Sequence, residues 1–176
     1  VKAVEGSDSE VVKMVEVRWS FFLSHFQRNG GDAIQALHEE MSARGISSWY
    51  DNAAEEITAD SMEAGVAGSA VFLLFLTDGV LTRPFCQLEI RKAISLQKPI
   101  LLLWEADELR GGTINIQQHA DQAPEDIRSV LFPGDGKGPL IVRMERFGRA
   151  RDHMFVQLLE VLQSLQQVSP AAEESQ

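Results

Sequence analysis

The sequence predicts an α/β domain with a five-stranded, parallel, doubly wound sheet and helices on both faces. Three observations carry that expectation. Strand-type and helix-type segments alternate along the chain, the pattern of βαβ units rather than of a sandwich or a bundle. The run over 70–76 is continuously apolar instead of alternating, as a central parallel strand covered on both faces requires. The chain has 176 residues, which at roughly 150 per domain makes a single domain.

Each element has its own signal. Residues 15–24 are rich in β-branched and aromatic types and predict the first strand. Asp32 is placed to cap a helix whose apolar residues Ala33, Leu37 and Met41 recur at helical spacing, with Gly45 ending it. Residues 46–50 predict a short second strand. Thr58 caps a helix reaching about residue 67, with Asp60 and Glu63 near its positive end. The third strand is the run at 70–76. Pro84 suits the first turn of the next helix and Pro99 closes it. Strands follow at 100–104 and 140–142. A structureless connection over 105–139 would be unusually long, so a short helix is expected at 124–132. Met154, Leu158, Val161, Leu162 and Leu165 form the apolar stripe of a last helix. The ends lack periodicity. Residues 1–14 read as a disordered or linker segment, 15–168 as the domain, and 169–176 as a disordered tail.

Composition limits the function. Lys plus Arg number 16 and Asp plus Glu 26, a net charge of −10, which argues against a nucleic-acid or anionic-membrane binder because phosphate contacts need clustered cations. The local basic cluster Arg143, Arg146, Arg149 and Arg151 is relieved by Glu145 and Asp152 and reads as a solvated face. One cysteine, Cys86, excludes an internal disulfide or a Cys-rich zinc site and fits a reducing compartment. His25, His38, His119 and His153 have no metal-ligand spacing and read as scattered solvated or partly packed histidines, with His38 facing solvent. No metal site is expected. No apolar run approaches the length of a membrane span, and no secretory leader pattern opens the chain. A chain that begins at Val1 rather than Met reads as a fragment or a processed form. The expectation is a soluble, cytoplasmic domain.

In doubly wound sheets, ligands bind beyond the carboxyl ends of the strands, where strand order reverses. The exit of the first strand (Leu23, Ser24, His25, Phe26), the exit of the second (Trp49, Tyr50, Asp51) and the helix starting at Pro84 should meet there. On a wheel of that helix with Phe85 at zero and about 100° per residue, Cys86, Ile90, Ala93, Ile94 and Leu96 spread over an apolar arc, and Glu89 falls at about 40°, inside it. A carboxylate there is desolvated unless it is paired or protonated. It is a site candidate by the perturbed-group argument. A structural salt bridge to an arginine of the first or last strand is the alternative. Cys86, on the same arc, reads as an inert small hydrophobe. Nucleophile-elbow, dinucleotide-fingerprint and phosphate-loop patterns are absent, and the glycine-rich stretch 134–139 reads as a turn. Asp51, Glu55, Glu56, Asp60 and Glu63 form an acidic run with no cation in it, solvated or turned to a partner.

Several ordered stretches resemble Toll/interleukin-1 receptor (TIR) domains. Phe21-Phe22-Leu23-Ser24-His25 is similar to the first box of that family, and Gly45-Ile46-Ser47-Ser48-Trp49-Tyr50-Asp51 to its second strand with a terminal aromatic-x-Asp. Phe85-Cys86-Gln87-Leu88-Glu89-Ile90, followed by Lys98-Pro99-Ile100, resembles the aromatic-Cys-x-x-Glu helix and Lys-Pro strand start of the plant and microbial branch. The likeness is good over 17–103 and loose beyond. It implies a flavodoxin-like sheet of order 2-1-3-4-5. It further implies NAD+ hydrolysis at the nicotinamide–ribose bond, giving nicotinamide and ADP-ribose or a cyclic isomer, in an immune or stress signalling role. Glu89 stands at the position of the family's catalytic glutamate. By the same carry-over Phe85 packs on the nicotinamide or ribose side. Ser24, His25 and Phe26 then line the pocket from the first strand with Cys86 beside them, and Trp49 and Asp51 border it from the second. For Trp49 core packing, and for Asp51 a cap or turn role, stand beside these readings. No cofactor beyond NAD+ as substrate is implied. The partners implied are other TIR domains in a homo-oligomer. The segment 51–57 lacks the Arg-Asp-x-x-Pro-Gly pattern of receptor and adaptor members, and Phe85 stands where many NAD-cleaving members have Trp. A non-catalytic scaffold that signals by TIR–TIR self-association is the second reading. A phospho-receiver would need paired acids after the first strand, and a flavodoxin a Ser/Thr-rich phosphate loop there; His25-Phe26-Gln27 supplies neither. The pyrophosphate of a bound dinucleotide is expected near the backbone amides at the exit of the first strand, away from Glu55 and Glu56.

Overall fold

The computed structural model describes residues 16–50 and 58–167. In chain order its elements are β1 (Trp19–Ser24), α1 (Gln27–Ala43), β2 (Ser48–Trp49), α2 (Ala59–Ala67), β3 (Ser69–Leu76), α3 (Pro84–Ser95), β4 (Ile100–Trp104), α4 (Gln117–Gln122), α5 (Glu125–Leu131), β5 (Leu140–Arg143) and α6 (Gly148–Gln167). Single 3-10 turns at Val80–Thr82 and Glu108–Arg110 follow β3 and β4. The strands form one parallel sheet in the order β2-β1-β3-β4-β5. The flavodoxin-like architecture expected from the sequence is therefore the one observed.

The period of two along each strand divides the core into two layers. Phe21, Leu23, Val71, Leu73, Phe75, Leu101, Leu103 and Val142 point to one face, where Ile34, Leu37 and Met41 of α1 and Met154, Phe155 and Leu158 of α6 cover them. Phe22, Phe72, Leu74, Leu76 and Leu102 point to the other, against Met62 and Val66 of α2, Cys86, Ile90 and Ala93 of α3, and Ile127 and Leu131 of α5. Val71 through Leu76 are all buried, which explains why β3 reads as an unbroken apolar run.

Local signals held where the chemistry is local. Thr58 accepts a hydrogen bond from the Ser61 N–H and caps α2. Pro84 occupies the first turn of α3. Gly45, at φ 77°, follows α1 in the left-handed region. The helix expected at 124–132 is α5, and it comes with a second short helix, α4, that the sequence reading did not separate. The start of α1 is a correction. The helix begins at Gln27, and Asp32 lies inside it rather than capping it. Gly30 and Gly31 look like a break but lie inside the helix, Gly30 tight against the sheet and Gly31 beneath a flexible side chain. A Cβ on Gly30 would stand 3.0 Å from the Phe75 ring, and one on Gly31 would stand 2.5 Å from the Gln27 amide. β1 is also shorter than expected, starting at Trp19, with Val17 ahead of it exposed. The segments 1–14 and 169–176, and with them the acids Asp51, Glu55 and Glu56, lie outside the described residues.

Candidate functional site

Strand order reverses between β1 and β3, so their carboxyl ends open the crevice of the fold. Ser24 is the last residue of β1 and pairs in register with Leu74 of β3. Its side chain is buried, and its hydroxyl donates to Glu89 Oε2 at 2.5 Å. Glu89 comes from the second turn of α3 and is only 6% exposed. Two residues 65 positions apart are thus joined where the sequence reading placed the site. Ser24 thus supplies one of the polar contacts that a carboxylate on the apolar arc requires.

The neighbouring residues build the walls. Phe85 is 37% exposed, although it shares the apolar arc of α3, and presents its ring at the crevice end of the helix. Cys86 is buried, and its thiol lies 3.5 Å from the His25 carbonyl. Burial first, and then the charge of Glu89, push that thiol up to about 12, with Arg83 pulling weakly the other way. Cys86 therefore stays a neutral thiol at physiological pH and is no nucleophile. His25 is half-buried, with Nε2 2.8 Å from Gln27 Oε1 and its ring 5.7 Å from that of Tyr50. Phe26 precedes α1 and carries the Arg83 guanidinium 4.1 Å above its ring. Trp49 stacks on Phe22 at 4.6 Å and 7°. A Cβ on Gly65 of α2 would stand 2.7 Å from its indole, so Trp49 is held as a core residue between sheet and helix. Asp51 lies outside the described residues.

Behind the crevice, the loop after β3 is tied down by polar contacts. Thr77 donates to Asn29 Oδ1 at 2.7 Å, and Asn29 Nδ2 donates to the Asp78 carbonyl at 2.9 Å. Gln122 of α4 donates to Asp78 Oδ1 and accepts from the Gly79 N–H.

Other residues owe their setting to long-range contacts that the sequence does not display. Glu105, just past β4, is 1% exposed and ion-pairs with Arg146, whose side chain is largely buried. Arg151 pairs with Glu40. The basic cluster is therefore not a uniformly solvated face. Those arginines follow β5 and come back against β4 and α1, a proximity that no local pattern encodes. His119, expected to be solvated or partly packed, is fully buried on α4 beside the Thr113 hydroxyl (2.9 Å), and burial lowers its pKa against the opposing pull of Asp78. His38 is half-buried and 2.6 Å from the Ser48 hydroxyl. Glu63 of the acidic run meets Lys92 at 3.2 Å. Among the described residues no group of three or more His, Cys, Asp or Glu could hold a metal ion. No helix among them is long and apolar enough to cross a membrane.

Comparison with known proteins converges on one family. The TIR domain family model matches residues 21–131, well over half of the chain. None of the curated proteins matches it. Among solved structures, the TIR domain of the Toll-related receptor TRR-2 from Hydra magnipapillata superposes with a TM-score of 0.53 at 11% identity, over 83% of this chain and 99% of that one. A metazoan TIR-STING receptor from C. gigas, in complex with 2',3'-cGAMP, gives 0.56 at 13% identity, over 84% of this chain and 41% of that one. The TIR domains of the activated Roq1 resistosome, which directly recognizes the pathogen effector XopQ, give 0.50 at 11% identity, over 90% and 92%. At such identities the superpositions speak for the fold, and with the matched family model they lead to one conclusion: the chain belongs to the TIR domain family.

Proposed function

We propose that this domain is an NAD+ hydrolase that cleaves the nicotinamide–ribose bond, with Glu89 as the catalytic carboxylate. The observation that carries the reading is a buried glutamate at the strand-order switch, oriented by the Ser24 hydroxyl. Loss of nicotinamide leaves an oxocarbenium-like ribose, and a fixed carboxylate beside it stabilises the developing positive charge. Burial strengthens that field relative to water. The Ser24 hydrogen bond fixes the carboxylate's direction without cancelling its charge. Phe85 offers an aromatic face for the nicotinamide or ribose, while Ser24, His25 and Phe26 form the strand-one wall, with the neutral Cys86 thiol as filler. The products are nicotinamide and ADP-ribose or a cyclic isomer, serving immune or stress signalling in the cytoplasm. NAD+ is the substrate, and other copies of the domain are the partners.

The test is nicotinamide release from NAD+ by concentrated protein, comparing wild type with Glu89→Gln. The amide keeps an acceptor for the Ser24 hydroxyl, so the variant should melt as wild type does while activity falls at least about a hundredfold, the scale of losing an electrostatic stabiliser. Release that survives in Glu89→Gln would exclude Glu89 as the catalyst. No release from wild type at any protein concentration would favour the second reading, a scaffold acting by self-association. That reading draws on the Roq1 TIR domains, which superpose on this chain and are seen within a resistosome.

A further inference from the structure

Next to the Glu89 crevice stands a cation that no acid of the described residues neutralises. Most arginines of the described residues pair with carboxylates: Arg44 with Glu40, Arg91 with Asp126, Arg146 with Glu105, Arg151 with Glu40. Arg83 has no carboxylate within 4.0 Å among those residues; its contact is the ring of Phe26, 4.1 Å below the guanidinium carbon. The side chain is exposed, and its backbone is extended at the residue that leads into α3.

We propose that Arg83 is the arm that receives the pyrophosphate of a dinucleotide whose ribose lies against Glu89. The inference rests on the reading above and adds a binding group to it. The geometry of stacking supports it. A guanidinium lying on an aromatic ring uses its face and leaves its coplanar N–H groups pointing outward, free to grip two phosphate oxygens. Phe26 thus holds the arm over the opening in a position that anion binding need not disturb. Spacing agrees. Arg83 precedes Glu89 by six residues, about 9 Å along the helix axis, so a long side chain at that place can serve the same bound molecule. Both charges act on the Cys86 thiol between them, Glu89 raising its pKa and Arg83 lowering it.

Two further facts favour a side-chain cation here. Pro84 at the first helical position has no N–H, so the start of α3 offers one backbone donor fewer to an anion. The chain carries a net charge of −10 and repels an anionic substrate at long range. The sequence reading assigned the pyrophosphate to backbone amides at the exit of β1. Arg83 reaches that same exit through Phe26, but from α3.

The experiment measures binding of carba-NAD+, an uncleavable analogue, to wild type, Arg83→Gln and Arg83→Lys by calorimetry, with nicotinamide riboside as the probe that lacks a pyrophosphate. Arg83→Gln should weaken carba-NAD+ at least tenfold and flatten its salt dependence. Arg83→Lys should fall between, and nicotinamide riboside should bind all three alike. Arg83→Gln binding carba-NAD+ within twofold of wild type overturns the assignment, as does wild type that fails to bind it at all. Tight, Arg83-dependent binding by a protein that releases no nicotinamide from NAD+ would uphold this inference while sinking the hydrolase reading.

Discussion

Arg146→Met should be among the most destabilising single substitutions in the domain, and the structure sets the size of the effect. Glu105 is 1% exposed and carries its charge into the space beneath the 105–113 loop. Two groups stabilise it there, the Arg146 guanidinium and the Asp107 N–H at 2.9 Å. Methionine fills the arginine's volume but leaves a buried carboxylate with one backbone donor. Removing one member of a buried pair costs about 3–5 kcal/mol. The remaining N–H and the partial exposure of the Arg146 side chain, 19%, place this case at the lower end, about 3 kcal/mol. That is a substantial part of a total stability of about 5–15 kcal/mol. In a domain of this size it lowers the melting temperature by about 6–12 °C. Urea denaturation with an unchanged m-value is the assay. Adding Glu105→Gln should recover most of the loss, since the amide still accepts from Asp107 and no charge remains to be desolvated. Arg146→Met within about 1 kcal/mol of wild type, or a double variant no better than the single one, would refute the reasoning.

Two smaller predictions concern a crowded glycine and a buried histidine. A Cβ on Gly112 would lie 2.2 Å from the Glu105 carbonyl oxygen, a backbone atom that cannot step aside, whereas one on Gly45 meets nothing within 4 Å and strains only a φ of 77°. Gly112→Ala should therefore cost about 3 kcal/mol and Gly45→Ala about 1 kcal/mol, read from the same urea titrations; equal costs would mean that the 105–113 loop relaxes freely. His119 has a folded pKa lowered from its ordinary 6.5 by burial, so the stability it contributes is fully present above that value and is lost as pH falls through it toward the folded pKa. The melting temperature should drop more between pH 7.5 and 5.5 in wild type than in His119→Gln, and parallel drops would show that His119 is not the group responsible.

The fold was legible because its signals are local and repetitive. Thr58 before α2, Pro84 at the start of α3 and the unbroken run of β3 each carry their own physical reason. Errors fell where a local rule met a tertiary contact. Asp32 looks like a cap after two glycines, but α1 starts at Gln27 and runs through them, with Gly30 close against the Phe75 ring. His119 was expected to be solvated or partly packed, and its full burial beside Thr113 depends on the chain folding back after β4. Its tautomer follows from the same place. Nδ1 has no partner among the described residues, so the neutral ring is best served by a proton on Nε2 donating to Thr113, which leaves a lone pair rather than an N–H unsatisfied.

The site was half legible for a related reason. A helical wheel finds an acid on an apolar arc, and that found Glu89. The same logic applied to the exit of β4 would have singled out Glu105, an acid directly after an apolar strand. In sequence the two glutamates look alike, yet their surroundings give them different work. Glu105 meets a guanidinium 41 residues away, which compensates its charge and locks the loop after β4. Glu89 meets a hydroxyl 65 residues away, which aims the carboxylate and leaves its charge intact. A carboxylate locked to a guanidinium has little field to offer a developing cation, whereas one aimed by a hydroxyl in a poorly solvated crevice keeps more of it. Periodicity can reveal that a charge is buried. What that charge can do depends on the partners that long-range folding brings to it, and at the β1–β3 switch Ser24 is one of them.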